Sequence, residues 1–148
     1  MEKPARPEID LTARCACGAV EVRLAGQVKS MFMCSCEDCQ KASGTGHSAA
    51  FLLRAADVTV SGKTKNHSRS ADSGAIFTRW FCPECGTPLC AQSSRGLELM
   101  TIPVGLLGAA ALPWFAPNQL LFARTHRDWD VIADGLPQHQ TYRLPGAT

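Results

Sequence analysis

Residues 79–90 read RWFCPECGTPLC, and the five central positions, Cys82-Pro83-Glu84-Cys85-Gly86, decide how the chain folds. In a C-P-x-C-G turn the backbone N–H groups point at the two thiolates, and the glycine permits the left-handed bend that closes it. Such a knuckle supplies half of a tetrahedral zinc site, so it demands a second pair from elsewhere in the chain. The other common use of C-x-x-C is a redox pair at the start of a helix in a βαβ unit. The residues after the knuckle oppose that use: Pro88 comes three residues after Cys85, and TPLCAQSS carries no helical period.

The second pair is read as Cys15 and Cys17, because CACG at 15–18 has the same cysteine-glycine ending. That leaves MCSCEDCQKASG, residues 33–44, where Cys34, Cys36 and Cys39 crowd into six positions. Seven clustered sulfurs thus divide into four and three. A closed tetrahedral site is structural, whereas a three-ligand site keeps one coordination position for water or substrate. Two alternatives stay open for the triple. Cys90, or His47 eight residues beyond Cys39, completes it as a second structural site, or the three are free thiols without metal. Cys90 follows TPL in an apolar stretch and reads as a buried small hydrophobe. The even count of eight cysteines also admits a disulfide framework. The C-x-C spacings oppose it, since in a strand the two side chains point to opposite faces and a bridge between them is strained.

The bulk numbers fit a globular protein. The chain has 148 residues, 45% of them hydrophobic, and a formal charge of +2. Two Zn²⁺ and seven thiolates would bring that charge to about −1, so the mild basicity carries no message. The basic residues are scattered singly, which points to no nucleic-acid or membrane-surface partner. MEKPARPEIDLTARC lacks the apolar centre of a signal peptide. The longest uncharged run, LMTIPVGLLGAAALPWFAPNQLLFA, is interrupted by Pro103, Pro113, Pro117, Gly105 and Gly108, so it reads as core loops and strands rather than a membrane span. A soluble cytoplasmic protein with reduced thiols is expected.

Extended segments dominate the rest. AVEVRLAG (19–26) alternates and ends at glycine; SAAFLLRAADVTVSG (48–62) gives two strands; GAIFTRWF (74–81) alternates into the CPECG knuckle. LELMTIPVG, QLLFART and DWDVIADG are also strand-like, while CEDCQKASG and GLLGAAAL are the two short helix candidates. The expectation is an all-β domain over residues 12–148, with an N-terminal tail at 1–11.

In order along the chain, CACGAVEVRL, CSCEDCQKASG, RWFCPECGTPLC and WDVIADGLPQ resemble the glutathione-dependent formaldehyde-activating (GFA) family over roughly residues 12–142. All seven clustered cysteines fall on family positions. The resemblance implies an Mss4-like twisted β-sheet sandwich around a structural zinc at Cys15, Cys17, Cys82 and Cys85. It also implies a second, more labile zinc at Cys34, Cys36 and Cys39. Enzymes of the family are carbon–sulfur lyases related to S-(hydroxymethyl)glutathione synthase, joining formaldehyde to glutathione reversibly. This chain departs from the family pattern in three places. Ser35 stands where many relatives have histidine, GLLG with Leu107 replaces a GSLD-like turn, and Leu120 falls where a histidine is often found.

Acid–base candidates beside the triple are Glu37, Asp38 and His47. His126 and His139 receive no role, and Arg79 and Trp80 read as a core tryptophan with a snorkelling arginine, or as a frame for an anion. Two non-enzymatic readings compete with the lyase: a zinc-stabilised binding module with an apolar patch from GLLGAAALPWF, and a thiol- or metal-sensing protein.

Overall fold

The computed structural model describes residues 2–142; residues 143–148, the end of the expected domain, lie outside the described residues. The described residues form two compact units, one within residues 2–30 and 51–115, the other within 31–50 and 116–142.

In the first unit, β1 (Glu8–Arg14) and β2 (Glu21–Gln27) pair antiparallel from Glu8↔Gln27 to Arg14↔Glu21. The alternation explains the pairing: Ile9, Ala13, Val22 and Leu24 are all buried, and Ala13 lies opposite Val22. β1 therefore begins inside the segment expected as tail, because E-I-D-L carries the alternation back to Glu8. A strand at Val58–Ser61 pairs along the other edge of β2. In chain order the later strands are β3 (Ser30–Cys34), β4 (Ser48–Arg54), β5 (Val58–Ser61), β6 (Lys65–Ser70), β7 (Ile76–Phe81), β8 (Pro88–Ser93), β9 (Leu99–Pro103) and β10 (Leu120–Leu121). Strands β9, β8, β7 and β6 are hydrogen-bonded neighbours in that order. Phe51, Leu53, Leu89 and Ile102 are fully buried, and Trp114 meets the Phe51 ring edge-on at 5.1 Å. The expected helix at GLLGAAAL is a 3-10 segment, Val104–Ala111, broken at Gly108 (φ 54°).

In the second unit, β10 lies parallel to β3, with Leu120 opposite Met33 and Leu121 opposite Cys34. The one α-helix among the described residues, α1 (Glu37–Ser43), owes its position to its caps. Cys36 Sγ accepts the Cys39 N–H, Glu37 and Asp38 sit at the positive end, and Gly44 (φ 76°) closes the last turn onto Gln40 O.

Two expected strands come out differently. QLLFART keeps only Leu120 and Leu121 in a strand, because Phe122 adopts a left-handed conformation (φ 57°) and leads into a 3-10 turn, Ala123–Thr125. DWDVIADG is not a strand: Trp129 and Val131 are exposed and Asp130 alone turns inward. The fold class is mostly β with few short helices, as the alternation implied.

Candidate metal centre

The turn between β1 and β2 carries Cys15 and Cys17, and the turn between β7 and β8 carries Cys82 and Cys85. All four sulfurs lie within 4.8 Å of one another, with Cys15–Cys17 at 3.6 Å and Cys17–Cys82 at 3.7 Å. A tetrahedral zinc with bonds of about 2.3 Å needs sulfurs about 3.8 Å apart, so the donor set fits that ion. The backbone supports it. Cys15 N–H donates to Val20 O (3.0 Å), Val20 N–H to Cys15 Sγ (3.2 Å), and Gly86 N–H to Cys82 O (2.9 Å). Gly18 (φ 80°) and Gly86 (φ 77°) take the left-handed positions that the two Cys-Gly endings demand.

Thr87 joins the two knuckles. Its hydroxyl accepts the Ala16 N–H (3.1 Å) and lies 3.1 Å from Cys85 Sγ, to which it donates when that sulfur is a thiolate. The Thr87 hydroxyl and N–H hold the Cys85 thiol down to about 5. Cys17 goes the other way: Ala19 N–H favours its thiolate, yet the neighbouring sulfurs and burial push it up to about 12. Four sulfurs this close cannot all ionise without a cation among them. Cysteine spacing does not mark Thr87; the one signal it carries is its place directly after the Gly86 that closes the knuckle.

The triple is also assembled. Cys34 ends β3, Cys36 caps α1 and Cys39 lies in its first turn, with the three sulfurs within 4.8 Å of one another. Among the described residues no fourth Cys, His, Asp or Glu joins this group. Cys36, Cys39 and burial push the Cys34 thiol far up. Cys36 is also raised: Cys34 favours its thiolate, but Cys39 and burial outweigh that. Such a cluster calls for a positive ion, whose binding would release the protons.

The other candidates fall elsewhere. His47 Nδ1 pairs with Asp130 Oδ2 at 2.6 Å, and His126 Nε2 approaches the same oxygen at 3.6 Å. Glu37 is exposed and pairs with Arg127 at 3.5 Å. His139 N–H donates to Leu120 O. Arg79 lies 5.1 Å from the Phe77 ring centre, and Trp80 stands half-buried opposite Cys90. Cys90 is buried in β8, and burial pushes its thiol up to about 11, as suits an inert hydrophobe. All eight cysteines are free of disulfides. The three departures from the family pattern, Ser35, Leu107 and Leu120, are all buried. No helix among the described residues is long and apolar enough to cross a membrane.

Residues 10–124 match the family described as "Glutathione-dependent formaldehyde-activating enzyme". A crystal structure of a Rhodobacter sphaeroides protein is similar in fold, with a TM-score of 0.53 and 21% identity, covering 66% of this chain and 88% of that one. No curated protein matches the chain. With a family match over most of its length, and both cysteine clusters assembled, this chain belongs to the glutathione-dependent formaldehyde-activating family.

Proposed function

We propose that the chain is a zinc-dependent carbon–sulfur lyase that adds a small thiol, such as glutathione, reversibly to formaldehyde or a similar small aldehyde. It uses one structural zinc at Cys15, Cys17, Cys82 and Cys85 and a second, more labile zinc at Cys34, Cys36 and Cys39. Residues 12–148 act as a single unit of function in a reducing, cytoplasmic setting. The observation that carries the reading is the triple itself: three sulfurs within 4.8 Å and no fourth protein ligand among the described residues. A zinc ion there supplies Lewis acidity and lowers the pKa of an arriving thiol. Cys34, Cys36 and Cys39 would hold the ion while leaving one side of it for that thiol. In the addition a carbon–sulfur bond would form at the aldehyde carbon as the C=O π bond opens, and the proton given up by the thiol would end on the former carbonyl oxygen. Holding both reactants together is the main contribution required of the chain, because thiol addition to formaldehyde is already easy.

Metal content and turnover test this together. Wild-type protein should carry two zincs per chain and accelerate thiol–aldehyde exchange. Cys36→Ser should keep one zinc and lose the acceleration. Unchanged turnover of every thiol–aldehyde pair by Cys36→Ser would end the catalytic reading.

A second reading, a binding module, draws on one observation in the first unit. A mostly apolar groove of about 240 Å³ is lined by Val104, Gly105, Gly108, Ala111, Leu112 and Phe115 together with Lys3. Its Leu112 is 69% exposed, where the apolar patch was expected. Gel filtration with candidate partners, comparing wild type with Leu112→Glu, separates this reading from the first.

A further inference from the structure

The shape of the three-sulfur site is set by residues outside the cysteine cluster. Ser35 stands between Cys34 and Cys36, and both of its backbone polar groups are engaged. Its N–H donates to Leu121 O at 2.9 Å, and its carbonyl accepts Gln40 Nε2 at 2.8 Å and Thr125 Oγ1 at 2.8 Å. Two donors use both lone pairs of that oxygen. Because each peptide unit is planar, fixing the Ser35 N–H fixes the plane running back to Cys34. Fixing its carbonyl fixes the plane running on to Cys36. The two Cα atoms that carry Cys34 and Cys36 thereby lose their freedom to swing. Cys39 belongs to the same arrangement, since Gln40 is its neighbour in α1 and Cys39 N–H donates to Cys36 Sγ at 3.3 Å.

The Gln40 amide has no spare orientation. Its nitrogen also donates to Thr125 O at 3.1 Å, and its oxygen accepts Arg127 Nε at 3.1 Å. The strand-turn segment from Leu120 to Asp130 thus meets the cysteine loop at Leu121, Thr125 and Arg127. It is tied again where Asp130 takes His47 Nδ1. The Ser35 side chain takes no part in this: its hydroxyl is buried and has no hydrogen-bond partner.

A four-sulfur site is closed by its own metal, whereas a three-sulfur site has one bond fewer to hold its shape. We propose that Gln40 and Thr125 are positioning residues for a metal at Cys34, Cys36 and Cys39. Acting through the Ser35 carbonyl, they keep the sulfurs as a three-point cup whose remaining face stays free for an exchangeable thiol. The proposal rests on the reading of this triple as a metal site, and deepens it by naming what keeps that site open.

The test uses the full chain and cobalt(II), whose thiolate charge-transfer bands report sulfur coordination. Wild type should take two cobalts, and adding glutathione should perturb the band of the weaker one. Thr125→Val keeps the side-chain shape and removes the donor; Gln40→Glu keeps the length and replaces the amide donor. Each should weaken the second cobalt by about 10–100-fold and alter its bands, with uptake of the first cobalt and the melting temperature unchanged. Thr125→Ser, which restores a hydroxyl, should recover both affinity and spectrum. Equal second-cobalt affinity and an identical spectrum in Thr125→Val and Gln40→Glu would overturn the clamp and leave the metal site standing. Uptake of a single cobalt by wild type would overturn the metal site and the clamp together. Should Thr125→Val fail to take up even the first cobalt, Gln40→Glu decides by the same two readouts.

Discussion

The hydroxyl of Thr87 stands between the two halves of the tetrad, taking the Ala16 N–H from one knuckle and facing Cys85 Sγ in the other. Donors to metal-bound thiolates offset their negative charge and hold them in place, and losing one typically costs 10–100-fold in metal affinity. Thr87→Val should therefore weaken zinc at the tetrad by about that factor in competition with a chromophoric chelator, while Thr87→Ser should not. Cys90 gives a pH signature of the opposite kind. Its thiol is pushed up to about 11 from 9.0 by burial alone, so the folded state favours the protonated form. Its contribution is present below about pH 9 and is lost as pH climbs towards 11, where the unfolded chain ionises first. Thermal unfolding of wild type should weaken across that window, and Cys90→Ala should flatten the decline. The burial of Cys90 was legible in its apolar surroundings, but the role of Thr87 was not. The Ala16 partner of Thr87 lies 71 residues away and meets it only once distant strands have paired.

At the scale of elements, the turn Gly44-Thr45-Gly46 connects α1 to His47 and uses its two glycines differently. Gly44 holds a left-handed cap (φ 76°) with open space around it. A Cβ on Gly46 would fall 2.5 Å from Asp130 Cγ, inside the carboxylate that His47 pairs with. Gly44→Ala should cost about 1 kcal/mol, a backbone effect. Gly46→Ala should cost about 1–3 kcal/mol by overpacking and should also disturb His47, seen as a shift of its imidazole NMR signals. The elements differ in how legible they were. β2 and β7 announced themselves by alternation, and β4, β5 and β9 as strand-like segments. β6, KNHSRS, did not, because it is a polar strand at the edge of its ladder with no apolar side to display. DWDVIADG misled because its apolar Trp129 and Val131 face solvent while the acidic Asp130 turns in. The His47–Asp130 pair spans 83 residues, a separation over which no local pattern carries information.

For the molecule as a whole, the number of sulfurs at each site predicts the order in which metal leaves. On titration with a chelator, or with acid that returns protons to the thiolates, the triple should empty first and the tetrad second. Removing the first metal should leave far-UV circular dichroism and melting nearly unchanged. Removing the second should abolish the cooperative transition, because the tetrad ties β1 and β2 to β7 and β8. Metal analysis run beside circular dichroism checks the order. The grouping of seven sulfurs into four and three was the most legible part of the chain. Ligand spacing in CACG, CSCEDC and CPECG is a short-range code, and the structure gathers the sulfurs as that code implies. The supports around the clusters, Thr87, Gln40 and Thr125, lie at positions that spacing does not mark.

Cys17 and Cys82 come together across 65 residues of chain. At a translation rate of about 5–20 residues per second, the first knuckle emerges from the ribosome ~3–13 s before its counterpart does. For that interval the nascent chain presents a two-thiolate half-site, open to whatever metal or oxidant the surroundings hold. Loading a metal at this tetrad would thus be a question of timing as well as affinity, settled only when Cys85 emerges.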